Sequence, residues 1–331
     1  MSQADGIAMQ QLDPGACRKQ RIAVLVPCFN EETAIATVVT DFRKALPAAT
    51  VYVYDNNSTD RTVEIARAAG AVVRREMHQG KGNVVRRMFS DIDADLYVLV
   101  DGDATYDAAS APTLIARSLE DRLDMVVAAR VQCDEGAYRR GHRTGNWLFT
   151  AFVASVFKAP LTDVLSGYRV FSRRFVKSFP VLSRGFEIEI ELTVHALELE
   201  FAVAEVNTPY FARPEGSSSK LSTWRDGLRI LRTIVKLHRS ERPLAFFTII
   251  GIVFAAISIG LAIPVIITFL EQGTVPRLPT AILSTGLMIM AFLAVASGLI
   301  LDTVTRGRRE MKLLAYLEQR APGDDWDRRR L

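Results

Sequence analysis

The sequence of 331 residues predicts an α/β domain with a doubly wound parallel sheet, followed by two membrane-spanning helices. Short apolar runs rich in β-branched and aromatic residues alternate with amphipathic helical segments, which is the pattern of such a sheet. One of these runs ends at Val100 and is followed at once by Asp101 and Asp103, where open α/β sheets bind their ligands. Near the C-terminus, two uncharged stretches exceed the roughly 20 apolar residues that cross a bilayer core.

The predicted elements follow one another in a regular order. Pro27 closes the first strand because proline cannot continue a ladder, and the helix after it carries apolar residues at helical spacing. Ser58 or Asp60 is a suitable cap for the second helix, which Gly70 ends. In chain order we predict strands at 21–27, 51–54, 71–74, 96–100 and 125–129, and helices ending near 46, at 61–69, opening at 80–83 and at about 110–123.

Composition argues against several classes of protein. With 41 basic and 37 acidic residues, the formal charge of +4 implies no strong field, and we expect no nucleic-acid partner. The three cysteines form no Cys-x-x-Cys pair and the four histidines show no ligand spacing, which argues against a disulfide framework and a zinc site. Neither G-x-G-x-x-G nor G-x-x-x-x-G-K-[ST] occurs, so dinucleotide-binding and P-loop sites are unsupported.

The uncharged stretches Pro243 to Leu270 and Leu278 to Leu301 predict transmembrane helices at about 244–270 and 279–301. The connector between them holds one basic residue, Arg277. Many more basic residues flank the pair on its outer sides: Arg225, Arg229, Arg232, Lys236, Arg239, Arg242, Arg306, Arg308, Arg309 and Lys312. By the positive-inside rule, the large N-terminal domain and both termini are cytoplasmic, which predicts a two-helix protein of the inner (cell) membrane.

The segment Asp101–Asp103 suits a divalent cation. Mg²⁺ or Mn²⁺ takes one or two carboxylates and completes its shell with water and phosphate oxygens. The alternative is a simple turn, because Asp and Gly are also common turn residues. Acidic and amide side chains at Asn30–Glu31 and Asp55 follow the first two strands, where they are suited to hydrogen-bond a base and a ribose. Together these groups describe a site for a nucleoside diphosphate.

Four segments carry a family resemblance: Pro27–Glu31, Asp55–Asp60, Gly80–Gly82 and Asp101–Asp103. They resemble the successive motifs of inverting family 2 glycosyltransferases with the GT-A fold. Further on, Asp163–Arg169 resembles the Ser-Gly-aromatic-Arg segment of the polyprenyl-phosphate branch, and Arg213 with Ser217–Lys220 is similar to its Arg-x(n)-Gly-x-Ser-Lys element. The match covers about residues 21–222, and a membrane hairpin suits the dolichyl- and undecaprenyl-phosphate glycosyltransferases in particular.

Three departures from the family pattern bear on specificity. Asn56 stands where the family often has a second Asp, so nucleotide contacts differ there. Thr105 stands where many dolichyl-phosphate mannose synthases carry Gln, which leaves the donor open. The sequence has no Gln-x-x-Arg-Trp, which disfavours a processive polysaccharide synthase.

The resemblance implies transfer of a hexose from a nucleotide sugar to a polyprenyl phosphate, with Mg²⁺ or Mn²⁺ on Asp101 and Asp103. A UDP-hexose is the favoured donor, and a GDP-mannose-dependent synthase is the alternative. Because a phosphate monoester is mostly dianionic at neutral pH, it attacks the anomeric carbon without a strong catalytic base. The protein has instead to hold two anions in line, which is a task for basic residues.

The implied site residues fall into three groups. The catalytic residues are Asp101, Asp103, Arg130 and Arg143. The nucleotide sugar is expected to contact Pro27, Asn30, Glu31, Asp55, Asn57, Ser58, Lys81, Asp101, Gly102, Asp103, Glu187, Arg213, Ser219 and Lys220, with Glu189 an alternative to Glu187. The acceptor phosphate is expected at Arg130, Arg139, Arg143, Ser166 and Arg169.

The predicted domain order is a loose tail at 1–20, a cytoplasmic GT-A catalytic domain at 21–220, amphipathic interfacial helices at 221–242, two membrane helices within 243–301, and a cytoplasmic C-terminal helix and tail at 302–331. The amphipathic segment has an apolar stripe flanked by arginines, which is typical of a helix on anionic lipid. The helix expected from Arg309 to Gln319 is a candidate element for a homo-oligomer.

Two other functions stay open on the sequence alone. A transferase acting on a lipid hydroxyl would need a general base, so a carboxylate essential for chemistry but not for binding would favour it. A catalytically silent subunit that binds a nucleotide sugar is the third hypothesis, and the intact Asp101 and Asp103 argue against it.

Overall fold

The computed structural model describes residues 20–132, 162–185, 187–213, 239 and 242–322. The chain divides into two compact units. The first is Met1–Asp226 with Lys312–Leu331, and the second is Gly227–Met311. The predicted interfacial helices at 221–242 lie almost wholly outside the described residues.

Within the described residues, the first unit is organised around a seven-stranded sheet of order β3-β2-β1-β4-β6-β5-β7. The strands are β1 (Ile22–Cys28), β2 (Thr50–Asp55), β3 (Val72–Arg75), β4 (Leu96–Leu99), β5 (Met125–Gln132), β6 (Arg169–Ser172) and β7 (Val203–Tyr210). The first four strands pair in parallel, with Leu25 opposite Leu99 and Cys28 opposite Asp55. Their carboxyl ends therefore meet at one edge of the sheet.

Helices cover both faces of this sheet. In the first unit they are α1 (Ile35–Ala45), α2 (Thr62–Ala68), α3 (Lys81–Asp91), α4 (Ala111–Glu120), α5 (Arg173–Ser178) and α6 (Ile188–Glu198). Successive residues of a strand point to opposite faces, so Val24 and Val26 join one buried cluster, while Ala23 and Leu25 join the other. The second cluster is rich in aromatic rings, with Phe171 and Phe175 stacked at 4.7 Å.

The α/β fold class predicted from the sequence is confirmed. The direction of strand β6 departs from the predicted parallel sheet. This strand runs antiparallel to both β4 and β5, so the sheet is mixed rather than wholly parallel. Its four residues, Arg169–Ser172, are all buried. A short strand without polar alternation gives no periodic signal, and the sequence had indicated a motif there rather than a strand.

The second unit contains α7 (Pro243–Gln272) and most of α8 (Leu278–Leu317). Both helices are long and apolar enough to cross a membrane, and their most apolar 18-residue stretches have mean hydropathies of 2.7 and 2.2. Gly273 ends α7 in the left-handed conformation that favours glycine, with φ of 67°. The residues beyond 301 continue α8 without a break, where the sequence predicted a separate C-terminal helix.

Small residues line the contact between these two helices at every seventh position. Ser258 and Ser284 donate hydrogen bonds to each other's backbone carbonyls at 2.7 and 3.0 Å. A Cβ at Gly251 would lie 3.0 Å from the carbonyl oxygen of Ala291, so the two backbones approach closely. The buried residues at this spacing are Gly251, Ser258 and Val265 of α7, and Ser284, Ala291, Gly298 and Thr305 of α8.

Candidate active site

A cleft of about 320 Å³ lies at the carboxyl ends of β1 and β4. This volume falls in the range of small-molecule sites. Its lining residues come from the loops after these strands, from the start of α3 and from the segment after β7: Pro27, Cys28, Phe29, Glu31, Asn56, Gln79, Gly80, Lys81, Val84, Asp101, Gly102, Asp103 and Arg213. The sequence predicted seven of these residues, and all seven come from four separate chain segments.

Asp103 is the more deeply buried carboxylate of the pair, with 7% of its side chain exposed. Its Oδ1 accepts a hydrogen bond from the Thr105 hydroxyl at 2.7 Å, and its Oδ2 lies 2.7 Å from a guanidinium nitrogen of Arg213. Burial and the nearby Asp101 carboxylate raise the pKa of Asp103, and they outweigh Arg213 and Thr105, which lower it. The two carboxylates thus form a crowded negative site that favours an added cation.

Two glycines allow the close approach of backbone segments around this pair. A Cβ at Gly102 would lie 2.6 Å from the sulfur of Cys28, and a Cβ at Gly167 would lie 2.5 Å from Oδ2 of Asp101. Real Cβ atoms do not approach other atoms so closely, so a side chain at either position would displace its neighbour. Both glycines are therefore part of the construction of the carboxylate site.

Lys81 is the first residue of α3 and lies beneath the cleft with 8% of its side chain exposed. Its ammonium pairs with Asp101 and, at 2.5 Å, with Glu189 of α6. Burial lowers the pKa of Lys81, but the two carboxylates outweigh burial and raise it above the ordinary value. Lys81 is thus a fixed positive charge beside Asp101, at the end of a helix where backbone N–H groups attract anions.

The loop before α3 is held tightly. Gly80 has φ of 128°, and a Cβ there would lie 2.1 Å from the carbonyl oxygen of Arg184. The side chain of Asn56 accepts a hydrogen bond from the Gly80 N–H at 2.7 Å and donates to the carbonyls of Glu76 and His78. Asn56, the residue that departs from the family pattern, therefore orders the loop that presents Lys81.

The donor set fits a divalent cation bound together with a phosphorylated ligand. Within the described residues, no group of three or more His, Cys, Asp or Glu side chains is arranged to hold a metal ion. Asp101 and Asp103 supply the two hard oxygen ligands that Mg²⁺ and Mn²⁺ commonly take from protein. The remaining ligands would then be water and phosphate oxygens.

The other residues predicted for the donor join two loops. The Asn30 N–H donates to the Ser58 hydroxyl at 2.9 Å, and the Asn30 side chain accepts from the Thr59 N–H at 2.8 Å. Asp55 is buried and accepts from the Ser58 N–H at 3.0 Å. Asn57 donates to the carbonyl of Met77 at 2.8 Å. These side chains shape the loops beside the cleft and are not among its lining residues.

Arg130, at the end of β5, forms a bidentate pair with Asp163, with N–O distances of 2.6 and 2.7 Å. Its guanidinium also lies over the ring of Tyr210, 5.5 Å from the centroid. Asp163 in turn accepts from the backbone N–H of Arg130 at 3.2 Å. The predicted catalytic arginine is therefore held in one orientation by its neighbours. Arg139, Arg143, Ser219 and Lys220, also predicted for the site, lie outside the described residues.

Ser166 and Arg169 were predicted to contact the acceptor phosphate, and the structure places them in the interior near the start of β6. Both are fully buried. Arg169 donates to the carbonyls of Val164 and Ser166 and to the Thr193 hydroxyl, while the Ser166 hydroxyl donates to the carbonyl of Ala128. Burial lowers the pKa of Arg169 to about 10, so it stays charged at neutral pH. These hydrogen bonds brace the loop before β6 from inside.

Neither Glu187 nor Glu189 is among the lining residues of the cleft, and Glu189 is connected to it through its ion pair with Lys81. The lining residues that sequence reasoning did not assign to the site are Cys28, Phe29, Asn56, Gly80, Gln79 and Val84. The first two lie inside a motif that had been recognised, but no residue type marked Gln79 or Val84 as lining a cleft.

Comparison with known proteins shows which family the chain resembles. The model of glycosyl transferase family 2 matches residues 23–179. Glycosyltransferase AglJ of Haloferax volcanii is 33% identical over 303 residues, which cover 90% of this chain and 98% of that protein. The dolichyl-phosphate hexose transferase of the same organism is 28% identical over 221 residues, 67% of this chain and 95% of that protein.

A solved structure agrees on the fold. Glucosyl-3-phosphoglycerate synthase from Mycobacterium tuberculosis, in complex with Mn²⁺, uridine diphosphate and glucosyl-3-phosphoglycerate, matches with a TM-score of 0.55 and 24% identity. The match covers 69% of this chain and 81% of that one. The first unit therefore has the GT-A fold. By motif, fold and sequence identity, the chain belongs to glycosyl transferase family 2 and is a glycosyltransferase.

Proposed function

We propose that this glycosyltransferase moves a hexose from a nucleoside diphosphate sugar, with UDP-hexose favoured, to a polyprenyl phosphate at the membrane surface. The observation that carries the proposal is one cleft in which Asp101, Asp103, Lys81 and Arg213 all meet. Two carboxylates suit a divalent cation and two basic side chains suit the phosphates of the donor. A nucleoside diphosphate leaving group needs both the divalent cation and the basic side chains to stabilise its negative charge.

Two relatives support the choice of substrates. The synthase of similar fold is described as a complex with uridine diphosphate and Mn²⁺, which favours a UDP-sugar and a divalent cation here. The relative named dolichyl-phosphate hexose transferase favours a polyprenyl phosphate acceptor. The two long apolar helices agree with an acceptor that is itself a membrane lipid.

The leaving diphosphate is the first task of the site. Bound Mg²⁺ or Mn²⁺ on Asp101 and Asp103 would supply Lewis-acid stabilisation of the charge that develops on the β-phosphate. Lys81 contributes a fixed positive charge together with the N-terminal N–H groups of α3. Arg213 brings a planar guanidinium suited to paired phosphate oxygens.

Holding the acceptor is the second task. A phosphate monoester is mostly dianionic at neutral pH, so it attacks the anomeric carbon directly and no protein base has to take a proton. Arg130 is the described residue we assign to the acceptor phosphate, since Asp163 and Tyr210 hold its guanidinium in place. Holding acceptor and donor in line lowers the entropic part of the barrier.

We also propose that α7 and α8 form a hairpin in the inner (cell) membrane, with the catalytic unit and both termini in the cytoplasm. The connector carries a single basic residue, Arg277, while clusters of Arg and Lys occur on the outer flanks. The positive-inside rule favours this orientation. A cysteine placed at Thr274 of the connector should react with a membrane-impermeant thiol reagent added from outside, whereas one at Arg308 should not.

A transfer assay tests the main proposal. Full-length protein in detergent receives radiolabelled UDP- or GDP-sugars, undecaprenyl phosphate and Mg²⁺ or Mn²⁺. We expect metal-dependent label in the lipid with a UDP-hexose, and a loss of about a thousandfold in Asp103→Asn, because a charged ligand next to the leaving group is removed. Asp121→Asn is the matched control, since Asp121 pairs with Arg117 on the surface at 2.9 Å, away from the cleft.

Each other outcome has a distinct meaning. Label from a GDP-sugar alone would replace the donor and leave the reaction class intact. Binding of nucleotide sugar without label in the lipid would contradict the acceptor. In that case diacylglycerol and ceramide acceptors come next, and turnover there should depend on a carboxylate acting as general base.

A further inference from the structure

Each carboxylate of the Asp101–Asp103 pair already has a cation from the chain itself. Asp101 pairs with Lys81, and Asp103 pairs with Arg213 at 2.7 Å. Lys81 contacts Oδ1 of Asp101 and is shared with Glu189, while Arg213 contacts Oδ2 of Asp103. Three carboxylates therefore share two basic side chains, and Arg213 is the one that pairs with Asp103.

The two internal cations differ in how they are held. Lys81 is buried, contacts a second carboxylate in Glu189, and starts a helix whose flanking glycines touch the segment at 183–184. Arg213 is exposed over 32% of its side chain and lies three residues beyond the end of β7. Lys81 therefore belongs to a rigid element, while Arg213 lies on the partly exposed segment that follows the strand.

The backbone brings Arg213 to Asp103 specifically. The Phe211 N–H donates to the carbonyl of Thr105 at 2.9 Å, so the segment after β7 runs beside the loop that carries Asp103. Thr105 occupies Oδ1 of Asp103, and Arg213 occupies Oδ2. A divalent cation that binds Asp103 has to displace one of these partners or share an oxygen with it.

We propose that Arg213 is an exchangeable counter-ion of the metal site: it neutralises Asp103 when no ligand is bound, and it transfers to the donor diphosphate when a divalent cation takes its place. This inference rests on the proposed function, because it assumes a cation bound together with a nucleoside diphosphate. A guanidinium leaving a carboxylate needs a new anionic partner, and a diphosphate provides paired oxygens of the same geometry. Cation and nucleotide would then bind cooperatively, and either alone would bind weakly.

Direct measurement of Mn²⁺ binding tests this exchange without any turnover. Full-length wild type, Arg213→Gln and Arg117→Gln are titrated with Mn²⁺ by electron paramagnetic resonance, with and without UDP. Arg117 pairs with Asp121 on the surface, so this control removes the same charge from an Arg–Asp pair outside the cleft. Without UDP, we expect Arg213→Gln to bind Mn²⁺ at least fivefold more tightly than both other proteins.

With UDP present, the order of the Mn²⁺ affinities should change. UDP should raise the Mn²⁺ affinity of the wild type by a larger factor than that of Arg213→Gln, because the variant has lost the group that transfers to the diphosphate. By reciprocity, Mn²⁺ should raise UDP affinity by the same factors in each protein. Matching melting temperatures of Arg213→Gln and wild type check that the exposed substitution leaves the fold intact.

Two results would overturn the proposal, and they differ in whether they also contradict the metal site of the proposed function. Equal Mn²⁺ affinity of wild type and Arg213→Gln without UDP, combined with loss of binding in Asp103→Asn, would refute the exchange and keep the metal site. Mn²⁺ binding that is unchanged in Asp103→Asn would refute both the exchange and the metal site of the proposed function.

Discussion

The two ends of α6 carry similar ion pairs in different surroundings. Near its start, Glu189 pairs with Lys81, and at its last residue Glu198 pairs with Lys312 at 2.7 Å. Both glutamates are buried, and both lysines come from helices distant in sequence. Residue type and burial alone would assign the two pairs the same role.

The two ion pairs differ in the residues that surround them. Lys81 has a second carboxylate, Asp101, and lines a cleft. Close to Lys312, one turn further along α8, the Tyr316 ring stacks on Phe201 at 4.4 Å and its hydroxyl donates to Asp124 at 2.9 Å. A buried ion pair thus points to function when it lines accessible volume and adjoins an additional charge, and to stability when the residues near it in the chain pack into the core.

The largest expected effect comes from replacing each lysine in turn. Lys81→Met should lower kcat/KM for sugar transfer by about a hundredfold or more, because it removes the fixed positive charge beside Asp101. Lys312→Met should leave kcat/KM within about twofold and lower the melting temperature, because it removes the ammonium that pairs with the buried Glu198 carboxylate. The assay compares activity per folded molecule.

If both lysines affected activity equally, the distinction between the two ends of α6 would be wrong. Lys81→Arg sharpens the test. Because Lys81 is buried and its ammonium contacts both Asp101 and Glu189, the larger guanidinium should restore only a small part of the activity.

A smaller effect, on stability alone, is expected at Asp124. This carboxylate is 1% exposed and accepts from Arg174 at 2.5 Å, from the Ser172 hydroxyl at 2.8 Å and from Tyr316. Asp124→Asn should cost about 3 kcal/mol in unfolding free energy, because a partly buried guanidinium loses its counter-charge. For a domain of this size, that corresponds to a melting temperature lower by roughly 6–12 °C.

Tyr316→Phe is the graded control for Asp124. It removes one hydrogen bond and keeps the stacked ring, so it should cost about 1 kcal/mol. A variant at Asp124 that also lost sugar transfer per folded molecule would contradict a purely structural role for that cluster.

The smallest effect is the pH dependence contributed by His195. It lies among Phe175, Phe179 and Phe201, and burial, with a lesser effect of Lys312, lowers its pKa from 6.5 to about 3. On acidification, His195 takes up a proton in the unfolded chain before it does so in the folded protein. The free energy of unfolding is therefore unaffected by this group above pH 6.5 and falls progressively from pH 6.5 towards pH 3. The slope reaches about 1.4 kcal/mol per pH unit.

The variant His195→Phe isolates that contribution. It keeps an aromatic ring in the cluster and removes the titrating group, so its melting temperature should fall less steeply than that of the wild type between pH 6.5 and about 3. Parallel curves for the two proteins would show that other groups cause the acid loss of stability.

Much of this fold was predictable because its signals are local. Proline at the end of β1, glycine after α2 and the apolar run before Asp101 each mark a boundary within a few residues. The carboxylate pair and Lys81 were predictable for a related reason: charged residues next to buried strands and glycines are chemically conspicuous. The cleft then brings together what four separated motifs had indicated.

The sequence said least about residues whose environment is decided by distant segments. Arg169 belongs to a recognised motif, but the sequence did not indicate that the Thr193 hydroxyl and the carbonyls of residues 164 and 166 would accept its hydrogen bonds. The alternation of Glu187 and Glu189 did not reveal which one would face Lys81, because the answer depends on where α6 begins. Where a helix begins is decided by tertiary packing as well as by the local sequence.

The seven-residue spacing in the helical hairpin has a consequence for how this region can vary in sequence. At two of the contact positions, Gly251 and Gly298, even a Cβ would lie 3.0 Å from an atom of the facing helix, so a side chain there would push the helices apart, whereas Val265 and Thr305 show that larger residues fit elsewhere at the same spacing. At the remaining positions of α7 and α8 within the second unit, most side chains face outward, so Leu, Ile, Val and Phe are interchangeable there. In this region, substitutions at the helix contact should therefore be restricted, while exchanges among apolar residues at the outward-facing positions should be tolerated.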